Sequence, residues 1–159
     1  MSCSRKSDIP PFAISLASYP EMAKYPDEMF YIDKVTGELD KEFFDVYEAW
    51  HQDKMAQLNQ PVGYMNGVYG FIYTSIQQFL TNSNGQNLVY SPLNVYMALA
   101  MLAEVTDGNS REQILELLGS ESIDILRTQA QSVWNANYMD DGAVTSVLAN
   151  SLLLNDDVK

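Results

Sequence analysis

Apolar residues recur at helical spacing from Asp40 onward. Phe44, Tyr47, His51, Met55 and Leu58 stand 3, 4, 4 and 3 residues apart, with Trp50 at the edge of the stripe, and predict a helix over 40–59. Pro61 ends it, because the residue before a proline is pushed out of the helical region. A second helix is predicted over 63–80, with Tyr64, Val68, Phe71, Ile72, Ser75, Ile76 and Phe79 on one face and loop chemistry in Thr81-Asn-Ser-Asn-Gly85 after it. Asn87-Leu-Val-Tyr90 reads as a short strand. Ser91-Pro92 then reads as a helix start, with Ser as N-cap and Pro at the first helical position, where its missing N–H costs nothing.

The helix that follows, over 93–105, has 11 apolar residues in 13 and is expected to be covered on most sides. Ser110-Arg-Glu-Gln113 is a capping box that opens a helix burying Ile114, Leu117 and Leu118 and stopping at Gly119. A further helix over 122–138 turns Ile125, Leu126, Ala130, Val133 and Trp134 inward, and Asp140-Asp-Gly142 breaks it. Residues 144–154 read as a strand whose second half is apolar on both faces, as in the middle of a covered sheet. Such a strand cannot be satisfied alone, so the sequence reads as stopping inside a fold. Residues 1–39 hold most of the prolines and no sustained period, and are read as an extended leader.

Composition narrows the function classes. The 159 residues carry 9 Lys+Arg against 21 Asp+Glu, a net charge of −12, and no Lys or Arg lies between Lys54 and Arg111. A chain without a basic stripe is a poor partner for nucleic acid. The 93–105 run falls well short of the roughly 20 apolar residues that span a bilayer, so no transmembrane segment is expected. One Cys and one His exclude an internal disulfide and a zinc site built from several such ligands.

Candidate chemistry is correspondingly thin. His51 lies in an apolar helical stripe beside Trp50, which favours a packed or half-exposed structural histidine over a catalytic one. Asp140-Asp141 and Asp156-Asp157 lack the alternating acidic spacing of a calcium loop and are read as solvated turn ends. Gly63, Gly67 and Gly70 have the wrong spacing for a phosphate loop, and no strand precedes them. Met97 and Met101 are explained by core packing. No enzyme activity, cofactor or metal is expected.

The run Asn87-Leu-Val-Tyr-Ser-Pro-Leu-Asn-Val-Tyr-Met-Ala-Leu-Ala-Met-Leu-Ala103 resembles strand 6B and helix B of the serpin family. Asp107-Gly-Asn-Ser-Arg-Glu-Gln-Ile-Leu-Glu-Leu-Leu-Gly119 resembles the serpin turn and helix C, and Val147-Leu-Ala-Asn-Ser-Leu-Leu-Leu154 strand 2A of the central sheet. By the same comparison 63–80 falls at helix A and 122–138 at helix D. The resemblance implies an α+β fold: the N-terminal part of a serpin fold, mainly helical, with short strand 6B and strand 2A. It covers 63–159. Residues 40–62 are an added amphipathic helix and linker.

The family implies a protease inhibitor rather than an enzyme. Its members bait a serine or cysteine protease with a reactive loop that, once cleaved, inserts into the central sheet and carries the trapped acyl-enzyme with it. That loop is missing from this sequence, so the chain reads as a fragment of such an inhibitor. A non-inhibitory serpin-like binding module is the first alternative. The second is an unrelated helical interaction domain with Phe43, Phe44, Tyr47 and Trp50 as its contact face. The resemblance also implies a shutter-like structural site at Asn87, Ser91, Pro92, Asn94 and Asn150. Asn94 departs from the pattern, since many serpins have Ser there. The leader and the Cys3-Ser-Arg-Lys-Ser-Asp context point to a bacterial member that is extracellular or at the cell surface, with Cys3 as a possible lipid anchor.

Overall fold

The computed structural model describes residues 19–81 and 85–152. Among them, five α-helices carry the fold: α1 (Lys41–Leu58), α2 (Asn66–Leu80), α3 (Pro92–Val105), α4 (Gly108–Leu117) and α5 (Ile123–Asn137). A two-residue antiparallel pair follows, β1 (Met139–Asp140) and β2 (Thr145–Ser146), with Met139 opposite Ser146 and Asp140 opposite Thr145. This is the mainly helical α+β arrangement expected from the sequence.

The helix ends follow their local chemistry. Asp40 is extended and caps α1, and Ser91 is extended with Pro92 as the first residue of α3. The Ser122 hydroxyl accepts from the Ile125 N–H at 3.3 Å and opens α5. Helix α4 starts earlier than its capping box predicts: Asp107 is the N-cap, and Ser110 lies within the first turn. Its other end is a Schellman turn. The Ser120 N–H donates to the Leu115 carbonyl and the Gly119 N–H to that of Glu116, while Gly119 takes φ +65°, a conformation that glycine alone adopts freely.

Helix α3 packs against α2, α4 and α5. Val68, Phe71, Tyr96, Ala100, Ala103, Leu118, Leu126 and Val133 form one buried cluster, with Ile114, Leu115, Ala130 and Leu148 against it. The expectation that α3 is covered on most sides is corrected along one face, where Asn94, Ala98, Leu102 and Val105 are exposed. Tyr96, Ala100 and Ala103 belong to the buried cluster, and Leu93, Val95, Met97 and Leu99 pack against it. Ile76, Phe79, Leu117 and Ile125, expected inside, are likewise on the surface.

The described part of the leader, 19–39, is more structured than a plain extended segment. Glu28–Phe30 forms a 3-10 turn capped by the Asp27 side chain, and a bridge pairs Ile32 with Leu39 around Gly37. In that turn Asp33 accepts from the Val35 and Thr36 N–H groups, which hold its carboxyl below the usual carboxylate range. Upstream, residues 19–25 lie along the end of α5. Tyr19 packs on Trp134 and Tyr138, Lys24 Nζ donates to the Asp140 carbonyl at 2.8 Å, and the Tyr25 N–H donates to the Asp141 carbonyl at 2.8 Å.

Helix α1 packs on α5, not on α2 as its short connection suggests. Gln57 Nε2 donates to the carbonyls of Asn135 (3.0 Å) and Tyr138 (2.6 Å). The buried residues of α1 are Phe43 and Trp50, while the stripe that predicted the helix, Phe44, Tyr47, His51, Met55 and Leu58, is exposed. The reason is visible in the leader. Tyr25 meets Trp50 edge-on at 5.0 Å and Tyr31 meets Phe43 at 5.7 Å, so the other edge of a wide apolar face is the one covered.

The predicted strands shrink. Of 144–154, only Thr145–Ser146 pairs; residues 147–152 have no ladder, and 153 and 154 lie outside the described residues. Asn87-Leu-Val-Tyr90 likewise has no regular secondary structure and no strand partner among the described residues.

Candidate functional site

The five residues singled out from the sequence flank the start of α3 and the end of the described chain. Ser91 supplies the N-cap through its backbone: its carbonyl accepts from the Val95 N–H at 3.2 Å, but its hydroxyl makes no capping bond. Pro92 sits half-buried at the first helical position, and Asn87 and Asn94 are exposed. Asn150 is half-buried, and its Nδ2 is shielded from solvent without a hydrogen-bond partner among the described residues. Among the described residues, no side-chain hydrogen bond joins Asn87, Ser91, Asn94 and Asn150 to one another. The structure places them near elements that share a core, through Leu148 and α3, without assembling them into a network.

A neighbouring polar pair does form. The Tyr90 hydroxyl donates to Ser75 Oγ at 2.8 Å, the Ser75 hydroxyl lies 3.3 Å from the Ile72 carbonyl, and the Tyr90 ring stacks on Phe79 at 4.5 Å. This pair ties the segment before Ser91 to α2. Its signal in the sequence is a lone hydroxyl, Ser75, on an otherwise apolar helical face, which when buried requires a partner. Tyr96 lies beneath, fully buried, with its hydroxyl 3.3 Å from Gln129 Oε1. Burial pushes its pKa up to about 12.

Asp141 corrects the reading of Asp140-Asp141 as solvated turn ends. Asp141 is only 2% exposed, and its Oδ1 accepts from the N–H groups of Ala143 and Val144 at 3.0 and 2.8 Å. It builds the β1–β2 turn and offers its carbonyl to the leader. Asp156 and Asp157 lie outside the described residues. His51 is exposed and stacks on Tyr47 at 6.3 Å, with no hydrogen bond to a hydroxyl or carboxylate among the described residues. Among those residues no three His, Cys, Asp or Glu side chains gather in a way that would hold a metal ion, and no helix is long and apolar enough to cross a membrane.

Comparisons with known proteins bear on the second half of the chain. No solved structure gives a significant match. Serpin-Z2A of Oryza sativa subsp. japonica is 34% identical over 61 residues, which are 38% of this chain and 14% of that protein. The chain therefore spans a small part of the relative's length. Residues 68–159, more than half of the chain, match the family described as Serpin (serine protease inhibitor). With helices α2 to α5 in the order and at the positions that the motifs require, the chain belongs to the serpin family.

Proposed function

We propose that this chain is the N-terminal portion of a protease inhibitor that, complete, acts by reactive-loop insertion into its central sheet. The family match over 68–159 carries this reading. The start of α3, with the segment around Asn150, then serves as the pivot beneath the sheet. A sheet that must part needs polar groups whose hydrogen bonds can be exchanged between two arrangements. The shielded Asn150 Nδ2, unpartnered among the described residues, supports this role, because a buried amide N–H calls for an acceptor that neighbouring strands of a sheet can supply. The partner is a serine or cysteine protease met outside the cell or at its surface. Cys3, outside the described residues, is the candidate lipid anchor, and metabolic labelling with a fatty acid checks it.

The test of the pivot uses the complete protein. Ser91→Ala and Asn150→Ala should raise the number of inhibitor molecules consumed per protease inactivated, or promote polymerisation on warming. Unchanged stoichiometry and unchanged polymerisation in both variants would remove the pivot assignment while leaving family membership intact.

A further inference from the structure

The acidic, aromatic unit around α1 has an outer face that is unpartnered among the described residues. Between Asp27 and Lys54, nine Asp and Glu stand against three Lys, a net of −6 and half of the whole chain's −12. All nine acids are exposed, and none pairs with a cation among the described residues. Through this field runs the outer stripe of α1. Phe44 is 56% exposed and Met55 51%, with Tyr47, His51 and Leu58 beside them. From Phe44 to Leu58 the stripe is about 21 Å long at 1.5 Å per residue. Asp45 and Glu48 border it on the side away from the leader.

We infer that this stripe docks a basic amphipathic helix of a partner protein, with apolar residues at i, i+3, i+4 and i+7 flanked by Lys or Arg. The stripe's own 3 and 4 spacing suits a helix laid along it, and the anchors are large side chains at successive turns. Charge selects the occupant. A second copy would bring −12 against −12 across the contact, whereas a basic helix would place its cations opposite Asp45 and Glu48 and inside the field of the other acids. The surface precedes the family-matched region and does not depend on the inhibitor reading.

The test uses two fluorescein-labelled helical peptides with the same leucine stripe, one flanked by Lys and the other by Glu, titrated with the 159-residue chain and read by anisotropy. The Lys peptide should bind at least tenfold more tightly than the Glu peptide, and lose about tenfold in affinity between roughly 0.05 and 0.5 M salt. The double variant Phe44→Gln, Met55→Gln should weaken it at least tenfold with an unchanged melting temperature, since both side chains are exposed. Equal binding of the two peptides, or unchanged affinity in the double variant, would overturn the inference. So would a wild-type dimer in sedimentation that the double variant dissolves, which would make a second copy the occupant. Loss of Lys-peptide binding in the complete protein would overturn it as well, by making the rest of the same chain the occupant.

Discussion

Gly67→Ala should destabilise the chain even though it replaces a helical glycine with the best helix former. On propensity alone the change is favourable by up to about 1 kcal/mol, and less for Gly67 because it is the second residue of α2. Packing reverses the sign. A Cβ at Gly67 would lie 2.5 Å from the Leu118 carbonyl oxygen and 3.3 Å from that of Gly119, and both are backbone atoms of the Schellman turn that ends α4. That turn cannot rotate away as a side chain can. Either α2 or the end of α4 must shift, and the shift opens the contact around fully buried Val68 and Leu118. Overpacking of this kind costs about 1–3 kcal/mol. Gly70 is the internal control. It lies one turn on in the same helix, a Cβ there meets nothing within 4 Å, and Gly70→Ala should stabilise by about 0.5–1 kcal/mol. Urea unfolding followed by circular dichroism at the helix band reads both. The Gly67 variant should lower the midpoint and the Gly70 variant raise it. A Gly67→Ala midpoint equal to or above that of the wild type would refute the close approach of α2 to the α4 turn.

Trp50→Ala should cost about 3 kcal/mol, because the ring is only 8% exposed, meets Tyr25 and Tyr47, and carries the Lys54 ammonium at 4.8 Å. In a Trp134→Phe background, Trp50 fluorescence should be blue and poorly quenched by iodide, and an unchanged melting temperature on its removal would contradict this packing. Ser91→Ala in the 159-residue chain should cost less than about 0.5 kcal/mol, since the hydroxyl makes no cap bond; a larger loss by urea titration would show a bond that this geometry lacks. Stability should fall from pH 10 towards pH 12. Burial raises the Tyr96 pKa, so the unfolded chain gives up that proton first, and folding weakens by up to roughly 1.4 kcal/mol per pH unit in that window. Tyr96→Phe should flatten that part of a stability-against-pH curve, and an unaltered slope would count against the buried phenol.

Helix positions were legible because their ends carry local chemistry: Asp40, Ser91-Pro92, Ser122 and Gly119 each fix a boundary within a few residues of themselves. The direction of α1 was not. With Phe43 beside Phe44 and Trp50 beside His51, its apolar face is too wide for periodicity to choose an edge, and the choice is made by Tyr25 and Tyr31 from a leader that has no period of its own. Among the described residues, the strand expected over 144–154 is regular only at Thr145–Ser146, for a related reason. A strand's apolar pattern records the partners it needs, and only the turn built by Asp141 supplies one here, at Thr145–Ser146. At the candidate site, Ser91 and Pro92 were read correctly as a helix start. The Tyr90–Ser75 bond was out of reach because it depends on how two elements 15 residues apart in sequence come together.

Loop-inserting protease inhibition is proposed for the complete protein on the family match over 68–159. It is tested most directly by incubating the complete protein that contains this chain with a panel of serine and cysteine proteases and running the products on denaturing gels. At least one protease should give a one-to-one band that survives boiling in detergent and contains both proteins, as a trapped acyl-enzyme requires. Cleavage of the protein by every protease that attacks it, with full protease activity retained and no such band, would contradict it.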